Sequence, residues 1–493
     1  MASGVPQHRH TRDLLNPEAS DVTNPLLDLL SNTLVLHQTL PYLPISSLLN
    51  LAATSPSFRD LLLRRTPGVF RHLDLSKVRI AQFEIDGIDR GGEVWRNVQL
   101  DENLTEDDFY SGPLRGIFQS IRRRNILQHV QTLVLDGLSV TAEFCNDILI
   151  DPTLRVRMLS IRDVTNLNER KLMQSLRYAC RPTRPEDTPR LKGLYVFGAR
   201  DTSLVTPPTR ARQNGAARGA SISVGWNHKS QHALQESIRG EGDDWYHRRG
   251  RIIGKHIADG WAETLLDCRD VIKFDAVLCT GPRHQNSAAF GKLSSMGGAP
   301  SGERPWGVAT FALRGCASCG TAPEGFTTYG ESPAEQLPLL APVPLHSSTI
   351  KAATCPRPGI GSNKGEEAHK FIPRCLECIR ERYCFSCDQW WCEACYQVPS
   401  QHDLNAQHVH IVNQANGLMD HEMAALELSN VKRPRISRSC WECEHNCLDC
   451  IASTQKLCRA CGGGYCIIHY EGSTLTLCDW CSRRRGRHSR ELY

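Results

Sequence analysis

Leucine recurs at helical spacing between residues 25 and 75. In SSLLNLAATSPSFRDLLLRR, Leu48, Leu49, Leu51 and Ala52 fall on one side of a first helix, and Phe58, Leu61 and Leu62 belong to a second. Ser46 or Ser47 can cap the first helix, and Ser55-Pro56 separates the two, because a residue before proline is pushed out of the helical region. The pattern predicts a small helical module over 25–69, preceded by a polar, disordered stretch over 1–24.

From about 70 to 280 the period changes. Short apolar segments recur as FRHLDLS (70–76), VQTLVLDG (130–137), RMLSIRDV (157–164), LKGLYVFG (191–198) and VIKFDAVLC (271–279). Each reads as a short strand closed by a polar or glycine turn, and helical stretches such as ERKLMQSLRYA (169–179) lie between them. This predicts an α/β region over 70–280, either a repeat or an ordinary α/β domain, with a loop insertion near 201–250. GPRHQNSAAFGKLSSMGGAPSGERPWG has no apolar period and predicts a linker over 281–310. ESPAEQLPLLAPVPLHSS (331–348) is proline-rich but carries Leu337, Leu339, Leu340 and Leu345, and so is expected to pack as extended chain against a neighbour.

Composition adds few constraints until cysteine is counted. The chain has 493 residues, 40% hydrophobic and 23% charged, with a net charge of +5. That charge is too small to argue for nucleic acid by itself. No run of 18 apolar residues occurs, and MASGVPQHRHTRDLLNPE has no apolar core, so neither a membrane span nor a secretory signal is expected. The expected location is nucleus and/or cytoplasm, where structural disulfides are rare. The 22 cysteines therefore need another explanation. Cys145, Cys180, Cys268 and Cys279 form no CxxC pair, and all the others lie from Cys316 onward.

Those later cysteines are paired: Cys316/Cys319, Cys375/Cys378, Cys384/Cys387, Cys392/Cys395, Cys440/Cys443, Cys447/Cys450, Cys458/Cys461 and Cys478/Cys481, with Cys466/His469 at the same spacing and Cys355 alone. Two residues between thiolates let one tight turn present both sulfurs to a tetrahedral ion about 2.3 Å away. Each pair supplies half a site. The number of pairs and the histidine favour zinc over an iron–sulfur cluster, and four to five ions are expected. Cys458/Cys461 and Cys478/Cys481 are close enough in sequence to close one site. Cys466/His469 then looks most simply to Cys447/Cys450, which leaves Cys440/Cys443 to meet Cys316/Cys319 by elimination. Nine pairs cannot fill whole sites, so a tenth is needed, and QHDLNAQHVHIV offers His408 and His410.

With that HxH, CFSCDQWWCEACYQ…HVHIV resembles a ZZ-type zinc finger. The resemblance implies interleaved sites, with Cys375, Cys378, Cys392 and Cys395 on one ion and Cys384, Cys387, His408 and His410 on the other. A RING-like cross-brace, with Cys316/Cys319 joining Cys384/Cys387, is the competing assignment. The expected zinc modules span 311–412 and 439–482, joined by a linker helix and basic segment over 413–438 and followed by a basic tail over 483–493.

The segment LVLHQTLPYLPISSLLNLAATSPSFRDLLLRRTPGVFRHLDLS resembles an F-box. The matching residues are Val35, Leu36, Leu40, Tyr42, Leu43, Pro44, Leu48, Leu51, Thr54, Ser55, Phe58, Arg59 and Leu61. The family docks on the Skp-type adaptor of a cullin–RING ubiquitin ligase through apolar side chains left exposed. Here Leu36, Leu40, Leu43 and Pro44 would carry that contact. An F-box followed by FRHLDLS and further short L-x-L segments looks like an F-box with leucine-rich repeats. The fold expected is α/β and multidomain: an F-box helical module, a leucine-rich-repeat-like middle and zinc-stabilised C-terminal modules.

KRPRISR (432–438) and RRRGRHSR (483–490) could be nuclear localisation signals or phosphate contacts. The zinc pattern lacks the spacing of a base-reading finger, which disfavours sequence-specific DNA binding. No catalytic triad or phosphate loop stands out. Three functions remain. The favoured one is a non-enzymatic substrate receptor that joins adaptor, cullin scaffold and a protein substrate bound by the middle and zinc regions. The others are a zinc-dependent ubiquitin ligase in its own right and a nuclear zinc protein that contacts nucleic acid or chromatin.

Overall fold

The structure is a computed structural model and describes residues 25–66, 68–78, 106–201, 250–291, 305–356, 369–396, 435–470 and 472–482. The polar stretch 1–24, the interior of the 201–250 insertion, residues 413–434 and the basic tail lie outside the described residues. The chain divides into two units, 1–69 and 70–493. Among the described residues no helix is long and apolar enough to cross a membrane.

The first unit is helical. Helix α1 (Pro25–Ser31) is followed by α2 (Thr33–Thr39), where Asn32 Oδ1 accepts from Leu34 N at 3.0 Å and caps the helix. A single tight turn over Leu40–Tyr42 leads to α3 (Ile45–Thr54). Pro44 is the N-cap, and its carbonyl accepts from Ser47 N and Leu48 N. Ser46 and Ser47 therefore lie inside the first turn instead of capping it, because proline holds the cap-like extended conformation at φ −63°. Helix α4 (Pro56–Asp60) starts as the Ser55-Pro56 pair predicts: Ser55 Oγ accepts from Phe58 N at 3.2 Å, with Pro56 in the first turn.

Leu36, Leu40, Leu48, Ala52, Phe58 and Leu62 form the interior of this unit. Two expected adaptor residues are thus corrected. Leu36 is 1% exposed and Leu40 is 5% exposed, so neither is available to a partner. They sit one helical turn apart on the buried stripe of an amphipathic helix. Leu43 and Pro44 lie outside that stripe and are exposed.

The second unit begins β1 (His72–Asp74), α5 (Glu106–Arg123), β2 (Thr132–Val134), α6 (Ala142–Ile150), β3 (Met158–Ser160), α7 (Glu169–Cys180), β4 (Gly193–Tyr195), β5 (Gly250–Arg251), α8 (Trp261–Cys268) and β6 (Lys273–Phe274). All five expected strand segments hold a strand of one parallel sheet, ordered β1-β2-β3-β4-β6. Register aligns Leu73, Leu133, Leu159, Leu194 and Phe274 across it, all buried. Alternation puts this row on one face. Phe274 there packs edge-on against Trp261 of α8, with ring centroids 6.2 Å apart.

The opposite face carries Val134, Met158 and Tyr195, which cluster with Leu339, Val343 and Ala353. The proline-rich segment after 336 lies here as a strap. Leu339 N donates to Phe274 O at 2.8 Å, and Tyr195 Oη donates to Leu340 O at 3.1 Å. This is the extended packing that its leucines predict.

The chain continues as β7 (Phe311–Leu313), β8 (Thr327–Thr328), α9 (Ile350–Thr354), β9 (Lys370–Arg374) and α10 (Leu376–Ile379). A second, antiparallel sheet has the order β5-β7-β9-β8, so it borrows β5 from the α/β region. The expected linker over 281–310 is also corrected. Around its start and end the chain is packed: His284 is 6% exposed, Ser287 8%, Ala289 4% and Ala309 0%. Polar residues are buried there, so no apolar period announces it. The last elements are β10 (Ile436–Ser437), β11 (Asn446–Cys447), α11 (Leu448–Thr454), β12 (Gln455–Leu457) and β13 (Gly464–Cys466), which form two small antiparallel pairs.

Candidate metal centres

Thiol side chains at CxxC spacing are carried on tight turns that follow short strands. In the turns of Cys316, Cys384 and Cys458, backbone N–H groups aim at the first sulfur. Ser318 N and Cys392 N donate to Cys316 Sγ at 3.4 and 3.2 Å. Burial alone would push the Cys316 thiol up, yet the N–H groups of Cys392, Cys319 and Ser318 outweigh it and hold it below the ordinary thiol value. At Cys458 the N–H of Cys478 is the largest cause, and the thiol is pushed down to about 6. Such turns stabilise thiolate, the form that binds metal.

The turns converge into five groups of four ligand atoms, each lying within 4.8 Å of one another. The first is Cys279, His284, Cys375 and Cys378. The second is Cys316, Cys319, Cys392 and Cys395. The third is Cys384, Cys387, Cys447 and Cys450. The fourth is Cys440, Cys443, Cys466 and His469, and the fifth is Cys458, Cys461, Cys478 and Cys481. Sulfur–sulfur separations include 3.8 Å for Cys279–Cys378, 3.7 Å for Cys319–Cys392, 3.8 Å for Cys387–Cys447, 3.6 Å for Cys443–Cys466 and 3.8 Å for Cys461–Cys478. A tetrahedron with metal–sulfur bonds of about 2.3 Å has an edge of about 3.8 Å. A disulfide needs about 2.05 Å. The groups therefore have the dimensions of metal sites, and five ions could be held.

The structure brings Cys458/Cys461 and Cys478/Cys481 together, as their spacing suggests. The other pairings differ from expectation. Cys466/His469 meets Cys440/Cys443, with His469 Nδ1 3.3 Å from Cys440 Sγ and 3.2 Å from Cys443 Sγ. Cys447/Cys450 meets Cys384/Cys387, which excludes both the ZZ-like set on Cys384/Cys387 and its cross-brace to Cys316/Cys319. Cys316/Cys319 meets Cys392/Cys395, and Cys375/Cys378 meets Cys279 and His284, so Cys375/Cys378 and Cys392/Cys395 do not share an ion. His408 and His410 lie outside the described residues.

The physical reason is backbone hydrogen bonding between segments far apart in sequence. Phe385 N donates to His445 O at 3.1 Å, which lays the third group's two turns side by side. Pairing of β12 with β13 sets Gln455 opposite Cys466 and so directs Cys466 to the fourth group. The tenth half-site is Cys279 with His284, whose four intervening residues hide it from a search for two-residue spacing. The CTGPRH string, with a thiol and an imidazole flanking Gly-Pro, is the signal that could have found it.

A buried charge cluster lies between the first and second groups. Arg374 pairs with Glu324 and Glu393, and Arg382 donates to Glu393 at 2.9 Å. Arg374 also lies over the Trp390 ring at 5.3 Å. Because Arg374 adjoins Cys375 and Glu393 adjoins Cys392, these ion pairs fix the two turns relative to each other.

Comparison with known proteins returns no matching family model, no matching curated protein and no matching solved structure.

Proposed function

We propose that the chain is a non-catalytic F-box substrate receptor of a cullin–RING ubiquitin ligase, with zinc at the thiolate groups. The observation that carries this reading is the apolar surface of the first unit. Leu34 is 76% exposed, Leu29 54% and Leu43 41%, with the exposed Pro44 following Leu43 in the chain, in a unit whose interior is already filled by Leu36, Leu40 and Phe58. Exposed apolar side chains that gather into one patch mark a protein interface. The sequential parallel order of short strands in the second unit supports a leucine-rich-repeat-like middle that presents a substrate. Zinc is the ion that suits thiolate-rich tetrahedral groups.

The deciding experiment is copurification of a Skp-type adaptor with the intact chain. Leu43→Asp should abolish it while leaving helicity and zinc content unchanged. A buried, unpaired carboxylate costs several kcal/mol, against about 1.4 kcal/mol per tenfold in affinity. Leu36→Asp should instead unfold the first unit.

A second reading, that the chain is itself a zinc-dependent ligase, is favoured by one observation. Trp441 is 78% exposed, Trp480 68% and Leu457 73% beside the fourth and fifth groups. If no adaptor copurifies and the chain builds ubiquitin polymers with a conjugating enzyme alone, that reading replaces the first.

A further inference from the structure

We infer that Cys279, His284, Cys375 and Cys378 form a sealed zinc rivet, loaded as the chain folds and closed to exchange afterwards, which joins the parallel sheet to the antiparallel one. This rests on reading the thiolate groups as zinc sites, and it gives one of them a distinct role.

Three observations set this group apart. All four of its ligands are buried, whereas each of the other groups has at least one partly or fully exposed ligand. All three of its sulfurs are buried members of the apolar cluster of Phe311, Leu313, Ile372 and Ile379, to which the second group gives only Cys316 and Cys392 as buried members, so protein encloses the site. The backbone also closes over the ligand atoms from two sides. A Cβ on Gly281 would stand 2.6 Å from Cys378 Sγ, and one on Gly307 would stand 3.0 Å from the His284 ring. A chelator has no room to approach an ion held there.

The ligands also come from two parts of the fold. Cys279 lies just beyond β6, the last strand of the parallel sheet, and its N–H donates to Gly307 O at 2.7 Å. Cys375 follows β9 of the antiparallel sheet directly, and its own N–H donates to Cys279 Sγ at 3.2 Å. Cys378 lies in α10. His284 Nε2 is 3.2 Å from Cys375 Sγ, while its buried Nδ1 has no hydrogen-bond partner. That unpartnered nitrogen leaves coordination through Nε2 as the interaction that holds the ring. Metal dependence should therefore reach back before residue 310, into the α/β region.

The test uses the full chain purified with zinc and treated with excess chelator while metal release is followed by a chromogenic indicator. Four of the five equivalents should leave the folded protein, and the fifth should leave only when denaturant is added. His284→Ala should bind four ions, all releasable, and should lose hydrogen-exchange protection over 271–279 and 370–379 together. His284→Cys should restore the resistant ion. Release of all five at similar rates, or a resistant ion that persists in His284→Ala, overturns the rivet. A chain that carries no zinc overturns the zinc reading instead. If His284→Ala fails to fold, the wild-type release profile decides alone.

Discussion

At His469 the imidazole presents Nδ1 to three sulfurs, those of Cys440, Cys443 and Cys466, at 3.3, 3.2 and 3.7 Å. No other histidine is needed to complete that group. His469→Ala should therefore lower zinc content by one ion per chain, and Cys443→Ser should remove the same ion. His408→Ala should leave zinc content unchanged, because ten half-sites already close five groups without it. Elemental analysis of the three variants checks this, and loss of an ion from His408→Ala would contradict the grouping. Metal analysis also reports on residues that look equivalent in sequence. Cys355 is exposed and, among the described residues, belongs to no group, so Cys355→Ser should bind as much zinc as the wild type.

At the scale of elements, the strap and the edge strand give two predictions. Leu339 is fully buried at 0% exposure and packs on the face that carries Met158 and Tyr195. Leu339→Ala should destabilise the second unit by about 2–5 kcal/mol, the usual cost of removing a buried leucine side chain. A lower urea midpoint with unchanged slope would show it, whereas an unchanged midpoint would mean the strap is dispensable. On β1, burial is the largest influence on His72 and holds its pKa below the ordinary 6.5, with His346 adding to the effect and Asp74 and Asp201 opposing it. The folded state thus favours neutral His72. As pH falls below 6.5 the unfolded chain takes up a proton that the fold resists, so stability is present above 6.5 and lost on acidification. The loss is at most about 1.4 kcal/mol per pH unit. His72→Gln should flatten this part of the stability profile between pH 7 and 5.5. A variant whose slope matches the wild type would remove His72 as the cause.

Across the second unit the five groups are linked in series. The first interleaves with the second along the chain, the second with the third, the third with the fourth and the fourth with the fifth. Each group begins before its predecessor has closed. The expected division into zinc modules at 311–412 and 439–482 therefore does not describe the metal connectivity. The third group takes Cys384 and Cys387 from one side of that division and Cys447 and Cys450 from the other. Among the described residues it is the only metal group that does so. Cleavage at a protease site inserted near residue 415 should leave the two wild-type fragments associated on gel filtration. In Cys447→Ser they should separate, with the first and second groups still loaded. Co-elution of the variant fragments would show that Tyr396 and Ile436, which share a small core cluster, suffice to hold them.

By itself the sequence determined what is local. The five parallel strands were legible because each is a short apolar run ended by a turn. The Ser55-Pro56 break was legible because proline chemistry acts on its immediate neighbours. The paired cysteines marked candidate metal ligands because one CxxC turn is a complete half-site. What the sequence left open was which halves meet. Spacing favours the nearest pair, but backbone hydrogen bonds between distant segments override it, as the Phe385–His445 bond does for the third group. Cys279 and His284 were hidden for the same reason, since their partners lie about a hundred residues away at the end of β9. Burial of Leu36 and exposure of Leu43 were likewise settled only by tertiary packing. A leucine stripe has the same period whether it faces its own core or a partner, and the fold decides between them by which stripe the neighbouring helices cover.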